Sequence, residues 1–275
     1  MLGTVTALRR YPVKSLLGED LTSSDVTDRG LAHDRGFALV DRGTGKVASA
    51  KNPRLWRDLL TLTARHTGPA TRITAPDGKA FSSADPGIDD ALSALLGRPV
   101  TLARTPPLGA ALDRADPDEV LRDGPTAPVS FTTGTLGGAA PAGTFFDFAP
   151  LHLITTSTLD RIGRLSPRGT VEWQRYRPNL VLRTDEPGFC ENTWPGRDLR
   201  IGSELVLRVI AATPRCAVPT LAHGDLPRDT AALRVPAEHN RVRPVETMDP
   251  LPCAGVYAQV LHPGPIHRGD PVRWA

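Results

Sequence analysis

Between Thr105 and Gly143 the chain carries Pro106-Pro107, Gly109, Pro117, Gly124-Pro125 and Gly137-Gly138-Ala139-Ala140-Pro141, and no apolar periodicity runs through them. Proline fixes φ and removes a backbone donor, and glycine adds conformational freedom, so regular structure is interrupted again and again. An irregular stretch of that length is a linker or a functional surface loop. It divides the 275 residues into a unit over 1–105, a connecting segment over 106–143 and a second unit over 144–275, each unit of ordinary domain size.

Both units read as strands with turn punctuation. Gly36–Val40 and Lys46–Ala50 flank Asp41-Arg42-Gly43-Thr44-Gly45, which predicts a hairpin. Thr71–Ala75 and Lys79–Ser82 flank Asp77-Gly78 and predict another. Ile88–Leu96 has helical spacing and stops at Gly97, and Pro99–Ala103 reads as a strand. In the second unit the spacing predicts a helix over Ser157–Leu165, with Ser157 or Thr158 as its N-cap. Strands are expected at Asn179–Arg183, Leu199–Ile201, Leu205–Ala211, Gly255–Leu261 and Pro271–Trp274. Leu205–Ile210 is apolar on both faces, as in a central strand of a barrel or sandwich. The expected class is mainly β with a few helices.

Several functions are disfavoured. No apolar run approaches the ~18 residues of a membrane span, and Met1–Tyr11 lacks the apolar core of a secretory signal. Lys plus Arg is 33 against 30 Asp plus Glu, a net of +3; arginines are scattered and aromatics are 5%. A nucleic-acid binder concentrates its cations and interleaves aromatics, so no nucleic-acid partner is expected. Cys190, Cys216 and Cys253 are odd in number and far apart, which fits a reducing, cytoplasmic setting and not a disulfide framework. No P-loop, G-x-G-x-x-G or zinc-type Cys/His spacing is present.

Four clusters could carry chemistry. Lys14-Ser15, following Tyr11-Pro12-Val13, sets an ammonium beside a hydroxyl, either a phosphate-binding pair or a solvated strand end. Asp34-Arg35, after Gly30-Leu31, is a local ion pair or a fork for phosphate. Arg177 and Asn179, around Pro178, share one face of an extended segment, which suits a polar ring edge or a phosphate. Thr213-Pro214-Arg215-Cys216 ends an apolar strand, and a cation beside a thiol favours the nucleophilic, metal-ligating thiolate. An inert buried cysteine is the other reading of Cys216. Cys190 and Cys253 have no adjacent cation and are taken as structural.

In order along the chain, these clusters resemble the MOSC family, in the form with an N-terminal β-barrel domain ahead of the MOSC domain, and within it the amidoxime-reducing mitochondrial and bacterial members. Tyr11–Ser15, Gly30-Leu31 and Asp34-Arg35 resemble the N-terminal signature. Pro150, Thr155–Leu159, Arg177-Pro178-Asn179, Glu191 with Trp194, Ile201-Gly202, Arg215-Cys216 and Gly255-Val256-Tyr257 resemble the MOSC signature, and Gly264–Val272 its closing strand. The resemblance implies a molybdenum cofactor, a molybdopterin whose dithiolene holds the metal. Cys216 would be the protein's ligand to molybdenum and the catalytic residue. Lys14, Ser15 and Arg35 would hold the phosphate and pterin tail. Thr156, Ser157 and Thr158 would line the pterin from a helix start, and Arg177, Asn179, Pro214 and Arg215 would complete the pocket. Pyridoxal phosphate binding is carried as a further expectation.

The implied reaction is reduction of N-hydroxylated compounds. No cysteine set for an iron–sulfur cluster is present, so electrons would come from a separate donor of flavin reductase, ferredoxin or cytochrome type. The chain departs from the family pattern at Lys51, where an arginine is usual one place earlier, at Asn192 in place of aspartate, and at Ala254 before Gly255. The alternative function is a carrier of cofactor or sulfur, with Cys216 bearing the sulfur.

Overall fold

The computed structural model describes residues 1–275. Its largest element is a barrel of seven strands: β1 (Gly3–Arg10), β2 (Leu151–Thr155), β3 (Leu180–Thr184), β4 (Asp198–Ile201), β5 (Leu205–Pro214), β6 (Leu251–His262) and β7 (Pro271–Trp274). The order around the barrel is β2-β3-β1-β7-β4-β5-β6, and β6 pairs back onto β2. Only β2 and β3 run parallel, with Leu153 opposite Leu180; the helix Thr156–Leu165 lies in the connection that a parallel pair requires. The class expected from the sequence is the class observed.

The first strand lies far from its sequence neighbours. β1 sits between β3 and β7, with Leu8 opposite Leu180 and Gly3 opposite Val272. Ser23–Thr27 then pairs with Gly264–His267 across one end of the barrel. The amino-terminal segment is therefore part of the barrel formed otherwise by residues after 150. Inward residues of alternate positions, among them Val5, Leu153, Leu182, Leu205, Leu207, Val209 and Val256, make one core with fully buried Trp194.

A second core gathers Val13, Leu39, Trp56, Leu59, Ile73, Leu92 and Val100. Ala70–Thr74 pairs with Ala80–Ser82 across the expected Asp77-Gly78 turn. The helix Ile88–Leu96 ends on Gly97 at φ 64°, a left-handed C-cap. The hairpin expected over Gly36–Ala50 is present: Asp41 N–H donates to Lys46 O at 2.9 Å, Ala48 N–H donates to Leu39 O at 2.8 Å, and Val40 bridges Val47. Ala38–Asp41 pairs in addition with Val100–Ala103. The second arm is also bonded outward: Val47 N–H donates to Ala111 O at 2.9 Å, and just beyond it Lys51 O accepts from Ala115 N–H at 2.9 Å.

The segment 106–143 has regular structure of its own. Ala111–Ala115 pairs with Phe131–Thr135, and the helix Pro117–Asp123 lies between them with Asp116 as N-cap. In the helix Thr156–Leu165 the N-cap is Thr155, whose hydroxyl accepts from Thr158 N–H at 3.1 Å, and not Ser157 or Thr158.

Candidate functional site

A cavity of about 610 Å³ lies where the turn after β1, the segment 114–118, the Phe146–Ala149 run and the end of β5 meet. Lys14, Ser15, Arg35, Arg177, Asn179, Pro214, Arg215 and Cys216 all line it. Residues from both halves of the chain are thus brought to one wall.

Lys14 is placed by its own backbone, whose N–H donates to Phe37 O at 2.8 Å. Its side chain is 4% exposed. Nζ donates to Phe145 O at 2.8 Å and to Asp147 Oδ1 at 2.7 Å. Lys51 Nζ stands 3.0 Å from the other oxygen, Oδ2. Burial pushes the Lys14 ammonium down to about 8, against the pull of Asp147. Burial would raise the Asp147 carboxyl, but the Lys14 and Lys51 ammoniums outweigh it and hold it well below the usual carboxylate range. Ser15 Oγ accepts from Ala50 N–H at 3.2 Å, which ties the turn to the Lys51 segment.

Arg35 pairs with Asp34 and packs over the Tyr11 and Phe146 rings at 4.8 and 5.6 Å. Asp34 also accepts from Tyr11 N–H at 2.6 Å and Asn179 Nδ2 at 3.0 Å. Asn179 further donates to Arg9 O at 3.2 Å and accepts from His152 N–H at 3.2 Å. Its amide is fully used in joining β1 to β2 and β3, so it positions the wall and has little left for a ligand. Arg177 lies 4.3 Å over the Tyr11 ring and donates to Leu16 O at 2.7 Å. Burial lowers its guanidinium to about 10.

Backbone strain gathers here. Ser15, Arg35 and Arg177 have φ of 65°, 48° and 55°, and His33 is the one other non-glycine residue with positive φ. Such residues cost about 1–3 kcal/mol each and persist where surroundings over-determine them, commonly at ligand sites.

Three guanidinium nitrogens in the wall are buried and unpartnered: Arg175 Nη2, Arg177 Nη1 and Arg215 Nε. Arg175 is 0% exposed and holds Glu172 through Nε at 2.6 Å. Arg215 donates through Nη1 to Tyr176 O at 3.1 Å. Guanidinium nitrogens only donate, so the empty valences call for an acceptor-rich, anionic ligand. His152 also lines the cavity; burial, reinforced by Arg215, holds its imidazole neutral, well below the usual histidine range.

Cys216 is a free, partly exposed thiol in the wall, two residues past the end of β5. Cys190 and Cys253 are buried, and burial pushes both thiols up, Cys253 to about 11. No three His, Cys, Asp or Glu side chains converge on a point. A metal on Cys216 would therefore take its remaining ligands from a bound molecule.

Thr156, Ser157 and Thr158 are not brought to the cavity. Ser157 Oγ shares a hydrogen bond with Thr184 Oγ1 at 2.8 Å, and Thr158 Oγ1 donates to Glu191 Oε2 at 2.7 Å. Both hydroxyls are consumed within the barrel, beside the buried Glu191. Sequence reasoning passed over Arg175, Asp147, His152 and Tyr257 as wall residues. Arg175 stands two residues before Arg177 and shared its signal; Asp147 lies in an irregular run with no pattern to mark it.

Residues 141–273 match the family model described as the MOSC domain, and residues 2–89 the MOSC N-terminal beta barrel domain. Over 316 residues the chain is 26% identical to mitochondrial amidoxime reducing component 2 of Rattus norvegicus, covering 98% of this chain and 83% of that protein. It is 26% identical over 310 residues to mitochondrial amidoxime-reducing component 1 of Mus musculus, covering 98% and 82%. The crystal structure of the YuaD protein from Bacillus subtilis aligns with 99% of this chain and 94% of its own at 12% identity and a TM-score of 0.46. Pyridoxal phosphate finds no support in these families; Lys14 Nζ, the buried lysine of the wall, is already held by Phe145 O and Asp147.

Proposed function

We propose a function from one premise: the chain belongs to the MOSC family, with that family's N-terminal barrel domain ahead of its MOSC domain. The proposal is a molybdenum-cofactor oxidoreductase that reduces N-hydroxylated compounds with electrons from a separate protein. The observation that carries it is the make-up of one wall: a single accessible thiol, lysines, and arginines with unpartnered buried donors.

The residues fit the group. The orphaned nitrogens of Arg175, Arg177 and Arg215 match a pterin's acceptors, Lys14, Ser15 and Arg35 match its phosphate, and Cys216 is the soft ligand molybdenum needs. When bound, the cofactor supplies the two-electron reduction that removes the N-hydroxyl oxygen. The protein supplies orientation and charge. Tyr11 serves as a platform on which Arg35 and Arg177 are packed, and its hydroxyl donates to Pro178 O at 3.1 Å. Phe148, Tyr257, Met248 and Val245 give the cavity an apolar side for the body of a substrate. The proposed units are 1–105 and 144–275 about the segment 106–143, with β1 (Gly3–Arg10) lent to the second unit's barrel, and on this reading both units contribute cofactor ligands. No helix is long and apolar enough to cross a membrane.

The test is molybdenum analysis and pterin fluorescence on protein from a host that makes the cofactor. Near-stoichiometric molybdenum and pterin, with reduction of an amidoxime by a reducing dye, are expected. Protein free of both overturns the reading. A persulfide on Cys216 without molybdenum would favour the sulfur-carrier alternative.

A further inference from the structure

Asp147 stands in the wrong place for a site meant to hold a phosphate. Its two oxygens bridge two ammoniums, Oδ1 to Lys14 at 2.7 Å and Oδ2 to Lys51 at 3.0 Å. Two oxygens of a phosphate would bridge them in the same way. A dianion arriving there meets a carboxylate of like charge, and the two cannot share the ammoniums at low cost.

The surroundings provide an exit for the carboxylate. Phe145 and Phe146 are buried and anchor the backbone, while the Asp147 side chain is 31% exposed. Lys14 keeps its bond to Phe145 O when Asp147 leaves, so its ammonium stays in place. Asp147 also borders a second, smaller cavity of about 150 Å³, whose other walls include Arg114, Thr132 and Thr135. Arg114 makes no ion pair in this arrangement, although Asp147 is at hand. The small cavity thus offers a free guanidinium and two hydroxyls, the groups a displaced carboxylate needs.

We propose that Asp147 is a displaceable counter-ion: its carboxylate fills the place of a phosphate monoester between Lys14 and Lys51, and moves to the Arg114 pocket when the dianion enters. The idea rests on the phosphate assignment made above and adds Lys51 and Arg114 to it. In the unliganded chain Asp147 keeps two lysines from repelling each other. On binding, the exchange makes affinity the difference between two ion pairs.

The experiment is calorimetric titration of the full chain, without cofactor, with inorganic phosphate at fixed ionic strength. Asp147→Asn removes the competing charge and keeps an oxygen for Lys14; it should bind phosphate about tenfold tighter than the native chain. Arg114→Met should weaken binding about threefold to tenfold in the native background and have no effect in Asp147→Asn, because only a carboxylate needs the second pocket. Equal or weaker binding by Asp147→Asn overturns the proposal, as does an Arg114→Met loss of the same size in both backgrounds. Should Asp147→Asn not fold, Asp147→Ser takes its place in the same comparison, and an unchanged affinity in Arg114→Met alone overturns the exchange.

Pterin retention by Asp147→Asn from a cofactor-producing host separates two sources of the phosphate. Slower loss of pterin on prolonged dialysis than from the native chain identifies the cofactor's tail; an unchanged rate of loss with tighter phosphate binding identifies a free monoester, and the exchange stands in both. Tight phosphate binding in a chain that never holds molybdenum keeps the counter-ion and removes the cofactor reading. Molybdenum bound with no gain in Asp147→Asn does the reverse.

Discussion

On the proposed function the chemistry turns on two residues, Cys216 and Lys14, and each would owe its role to surroundings more than to type. The chain has three free thiols, but only Cys216 is open to the cavity. Cys216→Ser should therefore keep the fold and lose molybdenum and at least about a hundredfold of activity, as removing a direct metal ligand costs no less than removing an outer partner. Cys190→Ser, outside the cavity lining and beside Thr184 and Thr155, should leave metal content unchanged. Metal analysis on the two variants decides it, and full molybdenum in Cys216→Ser would remove the assignment. Lys14 brings a pH dependence. Its ammonium, lowered by burial to about 8, loses its charge as pH rises through that value. A phosphate monoester gains its second charge near about pH 6. Binding of a phosphate monoester to the cofactor-free chain should rise through about pH 6 and fall above about pH 8. Titrations across pH 5–10 would show this arch in the native chain and a loss of its alkaline limb in Lys14→Met.

At the scale of elements, glycine marks the places where the barrel leaves no room. In β6, Gly255 has φ 81°, and a Cβ there would lie 2.4 Å from Leu153 O and 2.5 Å from His152 Nε2. Gly255→Ala must push β6 away from β2 and move a wall residue; a loss of about 3 kcal/mol is expected from overpacking and left-handed strain together. Gly45→Ala, at φ 70° with nothing within 4 Å, carries strain alone and should lose about 1 kcal/mol. Denaturant midpoints of the two variants check the contrast. The elements that local pattern made legible were those with local causes: the Ile88–Leu96 helix with Gly97, the Asp77-Gly78 turn and Pro271–Trp274. The Gly36–Ala50 hairpin was legible from its turn residues, but its outward bond from Val47 N–H to Ala111 O was not, because Ala111 belongs to a hairpin hidden among prolines and glycines. Thr156–Thr158 were misread as wall because helical position does not reveal that Thr184 and Glu191 take their hydroxyls. The cavity lining was legible where a short motif carried it, as with Lys14-Ser15 and Arg215-Cys216, and illegible at Asp147, which is placed by two lysines distant in sequence.

For the molecule as a whole, the cavity draws its lining from both halves of the chain, and the buried histidines in and near the barrel constrain how the chain tolerates acid. His152 and His223 are both buried and held neutral. Burial, reinforced by the Arg177 guanidinium, lowers His223 to about 4, and burial with Arg215 takes His152 well below the ordinary value. In the unfolded chain both imidazoles take up protons near about pH 6.5. As pH falls through that value the unfolded state binds protons the folded state refuses, so stability falls with pH until the folded groups themselves protonate. The paired carboxylates act later, because Glu172, raised by burial but lowered more by Arg168 and Arg175 to about 2, keeps its contribution until pH drops below the ordinary carboxylate range. Two regimes follow: a histidine-linked loss between about pH 6.5 and 4, and a carboxylate-linked loss beneath it. Urea denaturation at pH 7.5 and 5.5 should differ by about 2–3 kcal/mol in the native chain. His223→Gln removes one of the two protons and should reduce that difference by about half. An unchanged difference would mean that His223 is not held neutral in the folded chain, and that the loss between these two pH values belongs to the other buried imidazole, His152, or to the remaining histidines.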